Sequence, residues 1–122
     1  EPMIKTANQV SQTGHITLLA TQATADSRRT AKLIKSYGQD LRIDKPSTIG
    51  WAAAIDSRQA DRIDLDSVAR SIANGSDTIV VACTHYIELI PRLKALKPNT
   101  TILEPTHAVA QRVSQLVAAQ PL

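Results

Sequence analysis

Aromatic residues and long apolar runs are both scarce in this sequence of 122 residues. Aromatic residues make up 2% of the chain, and phenylalanine is absent. The uninterrupted apolar runs, residues 79–83 among the longest, fall far short of the ~20 residues that a membrane-spanning helix needs. No leader of basic and then apolar residues opens the chain. We therefore expect no membrane partner and a cytoplasmic location.

Cysteine occurs once, as Cys83, which excludes an internal disulfide and suits a reducing compartment. The formal net charge is +3, but it is spread as +2 over residues 1–61 and +1 over residues 62–122. The densest basic group places Arg28, Lys32 and Lys35 on one face of a predicted helix, which is typical of a solvated surface. We therefore expect no nucleic-acid partner.

The apolar residues, 43% of the chain, follow an alternation of strands and helices. Residues 15–20 form an apolar run of strand length, and the helical spacing that begins at residue 24 stops at Gly38. Residues 78–83 have no polar alternation, which predicts a central strand buried on both faces. The pattern predicts an α/β domain, a parallel sheet with helices on both faces.

The remaining elements are predicted from weaker sequence patterns. Residues 1–13 predict an irregular lead-in, because Pro2 interrupts them and no period is sustained. The other predicted elements are strands at residues 41–43 and 101–103, and helices at residues 51–55, at residues 64–74, at residues 86–96 around Pro91, and at residues 106–119.

Two strand ends carry side chains with chemical potential. Ligands of open parallel sheets bind beyond the carboxyl ends of the strands. Thr21 and Thr24 follow the first strand, and Cys83 and His85 follow the buried strand. If both strands join the sheet, these four side chains face one crevice.

A thiolate is both a nucleophile and a base, and a helix N-terminus with a nearby imidazole stabilises it. Cys83 and His85 fit this pattern. They are equally compatible with structural roles, as a buried cysteine that ends a strand and a histidine at a helix start that takes part in no chemistry. Thr21 and Thr24 are equally compatible with helix capping. A zinc site would have to recruit His15 or His107, so we expect no metal.

Three segments together make the sequence recognisable: Leu19-Ala20-Thr21-Gln22-Ala23-Thr24, Val81-Ala82-Cys83-Thr84-His85-Tyr86, and Ile102-Leu103-Glu104-Pro105. Their order and spacing resemble glutamate racemase, of the aspartate/glutamate racemase superfamily, across nearly the whole chain. The resemblance implies a flavodoxin-like fold, and an enzyme of two such domains that holds glutamate in the cleft between them without a cofactor.

The resemblance also implies roles for the residues at the two strand ends. Cys83 would act as base toward L-glutamate and as acid toward D-glutamate, with His85 assisting. Thr21, Thr24 and Thr84 would hold the amino and carboxylate groups of the substrate. Asp56 stands where the family often has a glutamate that positions the histidine.

Half of the family's active site is missing from these residues. The Asp-Ser pair and the Cys-Asn-Thr motif of the family's first domain do not occur here. One cysteine cannot invert a configuration by a two-base route, so the isolated chain is expected to be inactive without a first racemase domain. The complete enzyme would supply D-glutamate for peptidoglycan. Aspartate or hydantoin racemase and a non-catalytic amino-acid-binding domain stay open as alternatives.

The resemblance divides the chain into an interdomain lead-in at residues 1–13, an α/β racemase domain at residues 14–98, and a returning strand and helix at residues 99–122. That last segment would pack on the missing domain. Its predicted helix carries an apolar stripe of Val109, Val113, Leu116 and Val117. Without the missing domain, another protein surface has to shield this stripe from water. We therefore expect a homodimer.

Overall fold

A single parallel sheet organises residues 3–105, the part of the chain that the computed structural model describes. Its strands are β1 (His15–Leu19), β2 (Arg42–Asp44), β3 (Thr78–Val81) and β4 (Thr101–Leu103). They lie in the order β2-β1-β3-β4, and every neighbouring pair is parallel. β3 is therefore a central strand, as its unbroken apolar run predicts.

The helices other than α1, which precedes β1, lie in the connections between strands. The α-helices are α1 (Met3–Val10), α2 (Gln22–Ala25), α3 (Arg28–Tyr37), α4 (Trp51–Asp56), α5 (Asp66–Ala73) and α6 (Ile90–Leu96). Two short 3₁₀ helices, Ala60–Arg62 and Thr84–Leu89, precede α5 and α6. Within residues 3–105 no helix is long and apolar enough to cross a membrane.

Both faces of the sheet are covered. Successive strand residues point to opposite faces. Ile16 and Leu18 therefore pack with α1 and α2 on one face, whereas Leu19 packs on the other face, which a second group of helices covers. The second group, α4, α5 and α6, buries Trp51, Ile55, Val68, Ile72 and Leu93 against Ile79, Val81 and Ile102. The predicted α/β fold with helices on both faces is confirmed, and it is flavodoxin-like.

Proline and glycine define two helix boundaries. Gly38 ends α3, and its amide donates to the carbonyl of Ile34 at 2.7 Å. Pro91 lies in the first turn of α6, where its missing N–H costs no helical hydrogen bond. The single helix predicted for residues 86–96 is therefore replaced by a 3₁₀ helix and a new α-helix that starts at Ile90.

The irregular lead-in predicted for residues 1–13 is wrong. Residues 3–10 form α1, which buries Ile4 and Ala7 against the sheet. Met3, Ile4, Ala7 and Val10 recur at helical spacing, and Pro2 precedes the helix instead of interrupting it. This segment therefore packs as a helix against the sheet.

The strand predicted at residues 101–103 exists as β4, and it lies in the sheet of this chain. β4 pairs with β3, with Ile79 opposite Ile102, and Leu103 joins the core. Its backbone hydrogen bonds are thus made within this chain. The predicted helix at residues 106–119 and His107 lie outside the described residues.

Asp77 fixes the turn that leads into β1. Its carboxylate accepts the hydroxyl of Ser11 at 2.6 Å and the amides of Gln12 and Thr13 at 2.7 and 3.1 Å. Partial burial acts to raise the pKa of Asp77, but these hydrogen bonds and one from Thr78 outweigh it, so the pKa is lowered. The ionised carboxylate therefore stabilises the fold.

Replacing Asp77 by asparagine should cost about 1–3 kcal/mol, because an NH₂ group would face donors that now have an acceptor. A lowered pKa means that this stabilisation is present above about pH 4 and is lost as the pH falls through the folded-state value. The deficit of D77N, measured by urea unfolding, should therefore shrink in acid. Exposed Asp61→Asn is the control, and an equal, pH-independent effect of the two changes would contradict the account.

Candidate active site

The ends of β1 and β3 leave the sheet side by side. Leu19 lies opposite Val81, and the amide of Ala82 donates to the carbonyl of Leu19 at 2.8 Å. Thr21 and Cys83 each come two residues after this pair, and both keep an extended backbone. The two predicted strand ends therefore lie at one edge of the sheet.

The turn after β1 is held by threonine hydroxyls. The Thr21 hydroxyl accepts the amide of Thr24 at 3.3 Å, which caps α2, and donates to the Thr24 hydroxyl at 3.0 Å. Thr30 donates to the carbonyl of Thr24 at 2.6 Å, and Ser27 donates to the same carbonyl at 2.9 Å. Thr24 itself is exposed. The turn thus presents one exposed hydroxyl from a well-bonded frame.

Cys83 occupies the corresponding place after β3. It is half-buried, packs against the apolar cluster under α4 and α6, and its carbonyl accepts the amide of Tyr86 at 3.0 Å. Thr84 and His85 follow in the first turn of the 3₁₀ helix, and both are exposed. The thiol therefore lies between the core and a surface turn that carries a hydroxyl and an imidazole.

His85 has a carboxylate partner. Its Nε2 lies 3.1 Å from Oδ1 of Asp56, at the end of α4. The side chains are 46% and 69% exposed, so this pair contributes little to stability. A carboxylate on one ring nitrogen nevertheless fixes the orientation of an imidazole. Asp56 thus reaches His85 despite the shorter side chain.

Two buried residues at this edge have no role predicted from the sequence. Thr48, in the loop after β2, donates its hydroxyl to the carbonyl of Ala20 at 2.6 Å. Tyr86 is 1% exposed and packs edge-on against Trp51, with ring centroids 5.4 Å apart. Burial and, to a smaller extent, the charge of Cys83 raise the pKa of Tyr86, so its hydroxyl stays protonated.

The histidine of β1 belongs to a different region. His15 is at the start of the strand, the end opposite Thr21, and its Nε2 lies 2.6 Å from Oδ2 of Asp44. It is therefore not placed to complete a metal site with Cys83. Within residues 3–105 no group of three or more histidine, cysteine, aspartate or glutamate side chains is arranged to hold a metal ion.

Comparison with known proteins shows that the chain is similar to glutamate racemases. The chain is 35% identical to the glutamate racemase of Herpetosiphon aurantiacus, with all of the chain and 50% of the relative aligned. The Pseudomonas putida enzyme is 31% identical, with 48% of its length aligned. No protein-family model matches the chain. The chain thus spans about half the length of the curated relatives it matches.

Solved structures that resemble this fold are also glutamate racemases. Escherichia coli glutamate racemase, crystallised with L-glutamate and the activator UDP-MurNAc-ala, superposes with a TM-score of 0.71 at 25% identity. The match covers 96% of this chain and 47% of that enzyme. A glutamate racemase isoform from Bacillus anthracis has the same fold, with a TM-score of 0.67 at 21% identity.

The fold and the paired strand ends define an open α/β domain of the flavodoxin type with a thiol and hydroxyl groups at its carboxyl edge. The relatives make the assignment more specific. The chain is homologous to glutamate racemase over about half of that enzyme's length, which confirms the resemblance of the sequence motifs.

Replacing Thr21 by valine should lower stability by about 0.5–2 kcal/mol, because α2 loses its side-chain cap. Thr24→Val should cost less, since the exposed Thr24 hydroxyl caps no helix, and Thr21→Ser should restore most of the loss. The midpoint of urea unfolding measures all three. Equal midpoints for wild type and T21V would show that the capping bond contributes nothing.

Proposed function

We propose that this chain supplies one half of the active site of a glutamate racemase. The observation that carries the proposal is the placement of Cys83, Thr84 and His85 at the end of β3, beside Thr21 and Thr24 at the end of β1. The homology to glutamate racemases supports the choice of glutamate as substrate. The other half would come from a first racemase domain of the complete protein.

In the proposed reaction the Cys83 thiolate removes the α-proton of L-glutamate and becomes a thiol, leaving the electron pair on the α-carbon. A second thiol, from the other half, donates a proton to the opposite face. Toward D-glutamate the roles reverse, and Cys83 returns the proton. Two thiols suffice as acid and base, so no cofactor enters the proposal.

The other side chains would hold the substrate and the proton donor in place. The exposed hydroxyls of Thr24 and Thr84, with Thr21 behind them, are suited to the amino and carboxylate groups of the amino acid. His85, oriented by Asp56 at 3.1 Å, would assist proton transfer at Cys83. Each of these groups lies at the same edge of the sheet.

The proposed product also has a proposed role in the cell. The product D-glutamate would serve peptidoglycan synthesis, and hence cell shape, in the cytoplasm. The apolar stripe in the sequence of residues 106–119 supports a homodimer whenever the first domain does not cover it.

The pure 122-residue chain should show no net conversion of L- to D-glutamate, because it carries one cysteine. The product of the complete reading frame should racemise glutamate, and its Cys83→Ser variant should lose most of that activity. A circular-dichroism assay of glutamate follows the conversion.

Slow exchange of the α-hydrogen in heavy water with retained configuration agrees with a half-site in the isolated chain. Robust racemisation by the isolated chain, or full activity of C83S in the complete protein, would overturn the proposal.

A further inference from the structure

A cavity of about 540 Å³ opens on the face of the sheet where α1, α2 and α3 pack. Because Leu19 lies opposite Val81, the residues that follow them, two alanines, stand side by side at the carboxyl edge. Two such short side chains leave a space that larger ones would fill. The floor of the cavity consists of alternate residues along the two strands, Leu18 and Ala20 after β1 begins, and Val80 and Ala82 along β3.

The sides of the cavity are also apolar. Met3 of α1 and Leu33 of α3 line them, and both side chains pack against the core on this face. Sites for small molecules typically have volumes of roughly 300–1,000 Å³ and a mostly apolar lining with a few polar groups. The size and the lining of this cavity therefore suit a ligand with an aliphatic body.

The polar groups of the cavity lie where α2 is followed by α3. Arg29, in the first turn of α3, is exposed and borders the cavity. Among the described residues no carboxylate pairs with it. The Thr24 hydroxyl accepts from Thr21 at 3.0 Å and keeps its own proton for another acceptor. The guanidinium and this hydroxyl are both donors, which together match the oxygens of a carboxylate.

The charge at this end of the cavity favours an anion. α3 carries basic side chains and no acidic one, and the positive end of its helix dipole lies at Ser27 and Arg29, which both line the cavity. Asp26 precedes the helix, but the Gln22 amide holds its carboxylate at 2.9 Å, and Asp26 is not a lining residue. A basic helix therefore begins beside an apolar cavity.

We propose that this cavity binds an amphipathic carboxylate. The aliphatic body lies on the apolar floor, and the carboxylate accepts hydrogen bonds from Arg29 and Thr24. Cys83 is not part of this site, because it packs against the core on the other face of the sheet. Thr24 is shared with the proposed glutamate site, but binding in the cavity is a property of this chain and can be measured without racemase activity.

Titration of the 122-residue chain with octanoate, followed by its amide NMR signals, tests the site. The signals of Leu18, Leu33 and Val80 should shift, whereas those of Asp77 and Thr101, at the opposite end of the sheet, should not. Each CH₂ group added from hexanoate to decanoate should tighten binding by about fourfold, because the added group is buried on an apolar surface.

Two other octyl compounds test the choice of the anion. Octylamine has the same body and the opposite charge, so it should bind about tenfold more weakly than octanoate or worse. Octyl phosphate should bind no more tightly than octanoate, because the cavity offers one guanidinium and one hydroxyl. Tighter binding of octyl phosphate would contradict the assignment to a carboxylate.

Variants of two neighbouring arginines provide a matched control. Arg29→Gln should weaken octanoate binding by about tenfold, because a charge-assisted hydrogen bond is lost. Arg28→Gln should leave the Kd at the wild-type value, since Arg28 is exposed and does not line the cavity. Both changes are at exposed positions, and equal midpoints of urea unfolding would show that the fold is intact.

A third variant tests the cavity itself. Ala23→Leu adds a larger side chain at an exposed lining position of α2 and should weaken octanoate binding by filling part of the space. Equal Kd values for R29Q and R28Q, octylamine binding as tightly as octanoate, or no shift of the lining signals would overturn the proposal.

Discussion

The parallel pairing of β1 with β3, with Leu19 opposite Val81, is the interaction on which the candidate site depends. A slip of one residue would turn every side chain of one strand to the other face and separate Thr21 from Cys83. The register is fixed because Ile79 and Val81 fill one core and Val80 fills the other. Packing on two faces therefore determines where the chemistry lies.

The opposite end of the sheet shows how the same fold satisfies buried polar groups. The Thr17 hydroxyl lies 2.7 Å from those of Ser71 and Ser76, and Ser71 donates to Asp44 at 2.7 Å. Burial acts to raise the pKa of Asp44, but the hydrogen bonds from Ser71 and His15 outweigh it, so the pKa is lowered. At this end the polar side chains bond one another, whereas Thr24, Thr84 and His85 at the carboxyl edge stay exposed.

Local patterns predicted much of the fold and of the candidate site. The apolar run of β3, the stop at Gly38 and the paired strand ends follow from residues close together in the chain. α1 was not predicted, because Pro2 and the surrounding polar residues obscured the helical spacing of its apolar residues. The place of β4 depends on pairing with β3, and the hydrogen bond from Thr48 to the Ala20 carbonyl joins a loop to the end of a strand. Neither leaves a periodic signal, because both arise only when the chain is folded.

The proposed function requires Cys83 to be a reactive thiol instead of a buried structural one. The chain has one cysteine, so alkylation by iodoacetamide reports on this residue alone. The rate at pH 7 should be higher in the native chain than in the same chain unfolded in urea, and His85→Gln should reduce the native rate, because the proposed function gives His85 the role of assisting Cys83. A native thiol that reacts more slowly than the unfolded one, with no effect of H85Q, would contradict the account.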